Sequence, residues 1–172
     1  MGETLVQKLR MNVIIVEYPR YSIYSSEPSA DEIINNTTII YDFIKTSTIP
    51  INCIIEGSCD SAATLLFLAC QHREMTPNST FMMHQCSWGC WGQNRLIQDM
   101  AINAEKLMSK LRKIYFEDTS FGKISQKGAK LSDEDRLFVI QQQLEHDIEW
   151  SYNECKKYDI IDSPLEEFEL SI

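Results

Sequence analysis

The stretch that decides the fold is Ile51-Asn52-Cys53-Ile54-Ile55-Glu56-Gly57-Ser58-Cys59-Asp60-Ser61-Ala62-Ala63. Its apolar, β-branched start predicts a strand, and Gly57 predicts a tight turn. The apolar run from Ala62 to Cys70 then predicts a helix with Ser61 in its first turn. A hydroxyl there lies beside backbone N–H groups that lack partners, and these groups favour a developing negative charge. The stretch therefore predicts a serine nucleophile next to half of an oxyanion hole.

A serine nucleophile needs a base, and the chain has three histidines. His84 ends a short apolar run, so it is predicted at a strand end, as Ser61 is. His72 is predicted to close the Ser61 helix, where an imidazole is solvated. His146 lies beside Asp147, but adjacent residues do not face each other on a helix. His84 is therefore the candidate base, and the acid that orients it must come from elsewhere in the chain.

The rest of the chain alternates predicted strands and helices. Strands are predicted at Asn12–Glu17, Ile51–Ile55 and Phe81–His84. Helices are predicted at Asp31–Lys45, from Ser61 to His72, and at Asn94–Asp118, with further helices opening at Ser132 and Ser151. Such alternation implies an α/β fold, with a parallel sheet and helices on its faces. Active sites of such folds lie outside the carboxyl ends of the strands, where both Ser61 and His84 are predicted.

Short motifs along the chain carry a resemblance to a known family. They are Ile40-Tyr41-Asp42, Gly57 with Ser61-Ala62-Ala63, Pro77-Asn78-Ser79 with Met83-His84-Gln85, Trp88-Gly89-Cys90-Trp91-Gly92-Gln93, Glu145-His146-Asp147 with Ser151, and Tyr158-Asp159-Ile160-Ile161-Asp162. In that order they resemble the I-Y-D, G-x-A-A-S, P-N-S…M-I-H-Q-P, G-G-x-x-G-Q, E-R-D-x-x-x-S and Y-G-L-V-D segments of the proteolytic subunit of the Clp protease. The resemblance spans roughly residues 10 to 162.

The resemblance implies a serine endopeptidase with a catalytic triad of Ser61, His84 and Asp147. It also implies a single peptidase domain over residues 1–172, built from ClpP/crotonase-like repeated ββα units with a parallel sheet and a protruding long handle helix. The backbone N–H of Ala62 is expected as one oxyanion donor and the backbone near Arg20 or Tyr21 as the second. No metal or other cofactor is expected, and the implied partners are polypeptide substrates, further copies in homo-oligomeric rings, and an ATP-dependent unfoldase.

Three departures from the family pattern keep alternatives open. Tyr18-Pro19-Arg20-Tyr21 stands where the family has S-P-G-G, Asp60 replaces a small residue before the serine, and the segment before the first strand is short. A non-catalytic Clp-like ring subunit or a stand-alone protease of the viral head-maturation type would tolerate these departures. A crotonase-like acyl-CoA enzyme shares the ββα architecture, but the chain lacks a basic cluster for the CoA phosphates.

Composition restricts the partners and the compartment. The chain has 172 residues, 44% of them hydrophobic, and a net charge of −9, which argues against nucleic acid or an anionic membrane as a partner. No apolar run reaches the roughly 18 residues of a membrane span, and the first residues do not resemble a signal peptide. We therefore expect a cytoplasmic protein, or a virus-encoded one acting in the host cytoplasm. Reduced thiols are the default there, with Cys53 and Cys70 as small core residues.

Overall fold

The computed structural model describes residues 30–87, 91–125 and 127–162, with side chains from residue 36 onward. The helices are α1 (Ala30–Thr46), α2 (Ala62–Ala69), α3 (Asn94–Asp118), α4 (Asp133–Leu144) and α5 (Tyr152–Lys157), and the strands are β1 (Asn52–Ile55), β2 (Ser58–Asp60), β3 (His72–Met75) and β4 (Thr80–Met82). The predicted strand Asn12–Glu17, the predicted oxyanion residue Tyr21 and segment 88–90 lie outside the described residues.

The strands form parallel pairs, which confirms the predicted α/β class. β1 pairs with β3, and β2 pairs with β4, each as a two-stranded parallel ladder. Each ladder joins strands from either side of α2, so α2 serves as the crossover that parallel pairing requires. Two strands precede α2, and two more precede α3. The finer predictions, of repeated ββα units and of a handle formed by α3, stay predictions.

A glycine and a buried serine shape the break between β1 and β2. Gly57 has a φ of +114°, a region that side-chain-bearing residues avoid. Its N–H donates to Ser79 Oγ at 2.7 Å, and Ser79 Oγ donates in turn to the carbonyl of Ile55 at 3.0 Å. The Thr80 N–H donates to the Gly57 carbonyl at 2.7 Å. The turn before β4 therefore fixes the kink that separates the two ladders.

The core is centred on β4 and α2. Phe81 of β4 is fully buried between the rings of Phe67 and Trp150, with centroid distances of 6.3 and 6.2 Å. Phe121 and Tyr158 pack against the same Trp150 ring and complete an aromatic cluster. Most of α2 is buried, as expected for a helix that is apolar on all sides. Within the described ranges, no helix is both long enough and apolar enough to cross a membrane.

The prediction that His72 closes the Ser61 helix is wrong. α2 ends at Ala69, Cys70 is already extended, and His72 opens β3, where it pairs with Asn52 of β1. His72 and its neighbours are polar and compatible with a helix. Their pairing with β1, which follows from burial of the apolar crossover α2, outweighs that local preference. The structure also adds a strand, β2, in the stretch where the sequence predicted only a glycine turn.

The expectation of reduced thiols is wrong for one pair of cysteines. Cys53 of β1 and Cys70, which follows α2, are joined as a disulfide with a Cα–Cα distance of 6.1 Å. Both residues lie in apolar runs, as predicted, but the pairing of β1 with β3 brings the end of α2 back beside β1. Of the other cysteines in the described residues, Cys59 and Cys155 are buried free thiols, and burial raises the pKa of each to about 12.

A buried guanidinium joins the end of α3 to α4. Arg136 donates from Nη2 to the carbonyl of Thr119 at 2.7 Å and from Nε to the carbonyl of Phe121 at 2.8 Å. It also lies over the Phe116 ring, 4.1 Å from the centroid. Burial lowers the pKa of Arg136 from its ordinary value, which is the sign of a desolvated cation. Arg136 therefore provides donors for two carbonyls of the loop after α3.

Replacing Arg136 with methionine keeps most of the apolar stem and removes both donors. We expect Arg136→Met to lower the free energy of unfolding by about 2–3 kcal/mol, because the two carbonyls lose their partners in a buried place. Urea denaturation monitored by tryptophan fluorescence measures the change. Lys113→Met, at an exposed position of α3, is the matched control. We expect almost no change in its free energy of unfolding, because the ion pair of Lys113 with Glu117 is solvent-exposed. Equal losses in both variants would contradict the role of Arg136.

Candidate active site

Ser61 joins β2 to α2 in a strained backbone conformation. Its φ is 56° and its ψ is −124°, values that residues with side chains rarely adopt. A strand-to-helix turn of this kind exposes the serine hydroxyl at the end of a sheet, as in the nucleophile elbow of α/β hydrolases. Ser61 is indeed exposed, although the residues that follow it in α2 are mostly buried.

The peptide groups on both sides of Ser61 are held by hydrogen bonds. The Ser61 N–H donates to the carbonyl of Met82 in β4 at 2.9 Å. The Ser61 carbonyl accepts two bonds from Thr64, one from its N–H at 3.1 Å and one from Oγ1 at 2.5 Å. A residue in a sparsely populated conformation persists only when its surroundings determine it more than once. These three bonds meet that condition.

The hydroxyl of Ser61 does not serve the helix. Ser61 occupies the N-cap position of α2, where a serine oxygen ordinarily accepts a bond from the first turn, but it makes no such bond. Ala62, the predicted oxyanion donor, is the first residue of α2, where helix geometry provides no intrahelical acceptor for its N–H. The turn therefore exposes a hydroxyl that makes no capping bond, next to a helix N-terminus that favours negative charge.

The predicted base and the predicted acid are in contact. His84 Nδ1 lies 3.3 Å from Asp147 Oδ1. The contact follows from register, because Phe81 and Trp150 form an antiparallel bridge. His84 lies three residues after Phe81, and Asp147 lies three residues before Trp150. The antiparallel register therefore places His84 opposite Asp147. The side chain of His84 is 22% exposed and that of Asp147 is 76% exposed, so solvent screens the charge of this pair.

Ser61 and His84 are connected through β4 rather than by a direct bond. Met82, whose carbonyl accepts from the Ser61 N–H, precedes His84 by two residues. In the part of the chain that the structure describes, Ser61 Oγ makes no hydrogen bond to the imidazole. The structure thus brings His84 and Asp147 into contact, and it brings the backbone of Ser61 to the same end of β4.

The other histidines have different surroundings. His72 Nε2 lies 2.8 Å from Glu74 Oε1, and its Nδ1 lies 3.8 Å from Asp162. His146 is exposed, and its backbone N–H donates to the carbonyl of Gln143. None of these contacts involves Ser61, His84 or Asp147.

Asp60 adds an uncompensated oxygen immediately before the serine. One carboxylate oxygen of Asp60 accepts from the hydroxyl of Ser58. The other, Oδ1, is buried and has no hydrogen-bond partner among the described residues. An unpaired buried oxygen of this kind destabilises the fold. The negative charge of Asp60 also disfavours any oxyanion that forms at Ser61.

Thr64, whose hydroxyl donates to the Ser61 carbonyl, was not among the predicted site residues. The available signal was a polar residue three positions after the serine, in a helix that is otherwise apolar. A hydroxyl buried there needs an acceptor, and the N-cap carbonyl lies within its reach.

Comparison with known proteins identifies the family. A sequence model of the Clp protease family matches residues 32–167, a range that includes Ser61, His84 and Asp147. The chain therefore belongs to the Clp protease family and is a divergent ClpP-like proteolytic subunit, which makes its class that of a peptidase. It is 30% identical over 149 residues to the ATP-dependent Clp protease proteolytic subunit 2 of Treponema denticola, over 85% of this chain and 72% of that protein.

The strain at Ser61 predicts an unusual order of stability among its variants. We expect Ser61→Gly to be more stable than Ser61→Ala by about 1 kcal/mol, because glycine adopts a positive φ without a steric cost. Urea denaturation of both variants measures the difference. Ala63→Gly is the matched control inside α2, where the ordinary order holds and glycine costs about 0.5–1 kcal/mol. A Ser61→Ala variant as stable as Ser61→Gly would mean that the backbone at position 61 is not strained.

Proposed function

We propose that this Clp-family subunit is a serine endopeptidase whose catalytic triad is Ser61, His84 and Asp147. The observation that carries the proposal is the Ser61 turn, in which three hydrogen bonds hold the backbone at a positive φ while the hydroxyl makes no capping bond. In a serine that only capped the helix, the side-chain oxygen would accept a hydrogen bond from a backbone N–H of the first turn. Strain combined with an unused hydroxyl is typical of a positioned nucleophile.

The proposed mechanism follows from which atom of each side chain is occupied. Asp147 contacts Nδ1 of His84, which favours the tautomer with the proton on that nitrogen. Nε2 is then left with a lone pair that accepts the Ser61 proton as Oγ attacks the peptide carbonyl. The imidazolium returns that proton to the leaving amine, and water hydrolyses the acyl-enzyme by the same route. The Ala62 N–H stabilises the oxyanion.

The exposure of Asp147 limits what the acid contributes. Because 76% of its side chain is accessible to water, its attraction for an imidazolium is screened. Its main role in the proposed mechanism is therefore to orient the ring of His84. The missing hydrogen bond between Ser61 and His84 is compatible with this scheme, since such bonds often tighten only when substrate binds.

Assembly into homo-oligomeric rings is the second part of the proposal. Members of the Clp family form rings that work with ATPase unfoldases, and α3 provides a surface for such contacts. The buried residues of α3 are Met108, Leu111 and Tyr115, all in its second half. In its first half Leu96, Ile97 and Ile102 are 49%, 42% and 55% exposed. We propose that this first half of α3, with its exposed apolar side chains, is the handle that packs against another copy. In the same proposal the rings receive polypeptides from an unfoldase and act in the cytoplasm.

Asp60 favours a second candidate function, that of a non-catalytic ring subunit. A carboxylate immediately before the nucleophile disfavours an oxyanion, and the segment from Tyr18 to Tyr21 departs from the glycine-rich family pattern. Such a subunit would assemble with other copies without cleaving peptides. The two functions differ in whether Ser61 reacts.

Covalent labelling tests the proposed nucleophile. We expect a fluorophosphonate to label the wild-type chain at Ser61, because the reagent reacts with activated serine hydroxyls. Asp147→Asn should slow the labelling by about tenfold or more, because the neutral amide can donate to Nδ1 of His84 and so favour the wrong tautomer. Mass spectrometry identifies the labelled residue, and the time course gives the rate.

Ser109→Ala is the control, since Ser109 is an exposed serine on α3 whose hydroxyl accepts from Arg112 Nη2 instead of contacting the catalytic groups. We expect it to be labelled as fast as the wild type, while Ser61→Ala is not labelled. A folded wild-type chain that is not labelled would exclude the serine peptidase and support the non-catalytic subunit.

Light scattering tests the proposed assembly. We expect the wild type to form a ring-sized multimer, and the double variant Ile97→Glu/Ile102→Glu to dissociate into smaller species because charges replace exposed apolar contacts. Lys110→Glu is the control on the same helix, since it changes charge without removing apolar area. A wild-type monomer of 19.9 kDa at micromolar concentration would exclude the ring but leave the labelling result intact.

A further inference from the structure

A chain of two hydroxyl groups connects α3 to the Ser61 turn. Tyr115, in the second half of α3, is fully buried, and its OH lies 2.7 Å from Thr64 Oγ1 in the first turn of α2. Thr64 Oγ1 lies in turn 2.5 Å from the Ser61 carbonyl oxygen. A side chain on the longest helix is therefore two hydrogen bonds away from the backbone of the proposed nucleophile.

The direction of both bonds follows from counting protons. A threonine hydroxyl has one proton, and a carbonyl oxygen can only accept, so Thr64 donates its proton to Ser61. The bond between Thr64 and Tyr115 must then use the phenol proton, with Tyr115 as the donor. Burial raises the pKa of Tyr115 above its ordinary value, so the phenol keeps that proton at any working pH. These two hydrogen bonds form a hydroxyl relay, in which Tyr115 donates to Thr64 and Thr64 donates to the Ser61 carbonyl.

The relay acts on the part of Ser61 that decides where the hydroxyl points. Its φ of 56° and ψ of −124° are unfavourable for a serine, so the turn would relax if its peptide groups were free. The Met82 carbonyl holds the N–H on one side. On the other side Thr64 contributes both bonds to the carbonyl, and Tyr115 fixes the rotamer of Thr64 by occupying its oxygen.

We propose that Thr64 and Tyr115 are positioning residues for the Ser61 nucleophile. Neither touches the substrate; both hold the strained turn in the geometry that places Oγ for attack. The proposal rests on the proposed function of Ser61 and adds to it a dependence on α3. A hydroxyl relay that served only the stability of the core would not affect the reactivity of Ser61.

The test compares rates of fluorophosphonate labelling in the full chain, because the rate reports the position of the hydroxyl without peptide binding. We expect Tyr115→Phe to slow labelling by about three- to tenfold, the rate factor that one neutral hydrogen bond supplies. Thr64→Val, which has the same shape but no hydroxyl, should slow it by about tenfold or more. Thr64→Ser should restore the rate to within about threefold of the wild type, since it keeps the donor.

Tyr41→Phe is the matched control for the loss of a phenol. Tyr41 OH donates to Asp118 Oδ2 at 2.6 Å, on the side of α3 that faces α1, so its removal weakens the fold without touching the relay. We expect Tyr41→Phe to be labelled at the wild-type rate. The double variant Thr64→Val/Tyr115→Phe should be no slower than Thr64→Val alone, because Tyr115 acts through Thr64. Urea midpoints measured for every variant separate stability from reactivity.

The outcomes separate this proposal from the one on which it rests. A wild type labelled at Ser61, with Tyr115→Phe and Thr64→Val labelled equally fast, would overturn the positioning role and leave the peptidase intact. Slowing by Tyr41→Phe as large as that by Tyr115→Phe would also overturn it, since the effect would follow stability alone. A folded wild type that is not labelled would overturn both proposals.

Discussion

The hydrogen bond from the Ser61 N–H to the Met82 carbonyl, 2.9 Å long, is the contact on which the candidate site depends. It continues the parallel ladder of β2 and β4, in which Asp60 pairs with Met82, by one residue beyond the end of β2. The chain must turn into α2 at that point, because the next residues are apolar and bury themselves as a helix. The conformation of Ser61 is therefore a consequence of joining a fixed strand to a buried helix without an intervening loop.

The short strand β4 also determines where the proposed base, His84, and the proposed acid, Asp147, lie. β4 pairs in parallel with β2, which leads into the Ser61 turn. Phe81 of β4 also forms an antiparallel bridge with Trp150, which lies in the segment after α4. The Gln85 N–H donates to the carbonyl of Leu144, so the pairing extends past His84. Three segments far apart in the chain thus converge at the carboxyl end of β4, where parallel folds usually form their sites.

Local signals in the sequence predicted those parts of the fold that local chemistry decides. The long helix begins at Asn94 and ends at Asp118 as predicted, and Ser132 and the Ser151 capping box start their helices. β3 could not be predicted, because its polar residues find partners distant in sequence: Arg73 bonds Asp162 and the carbonyl of Asp118. The contact between His84 and Asp147 was predicted only through a family resemblance, since it depends on a tertiary register rather than on spacing.

Two successive residues at the site each break a rule that most residues of the described chain obey. Asp60 keeps a buried oxygen without a partner, and Ser61 adopts a positive φ where glycine would fit without strain. Either feature alone could be an accident of packing. Selection for stability alone would favour glycine at position 61, because glycine adopts a positive φ without strain and the Ser61 hydroxyl makes no capping bond to α2. The proposed role of Ser61 as a nucleophile, held by Met82 and Thr64, would explain why a serine stands at this strained position.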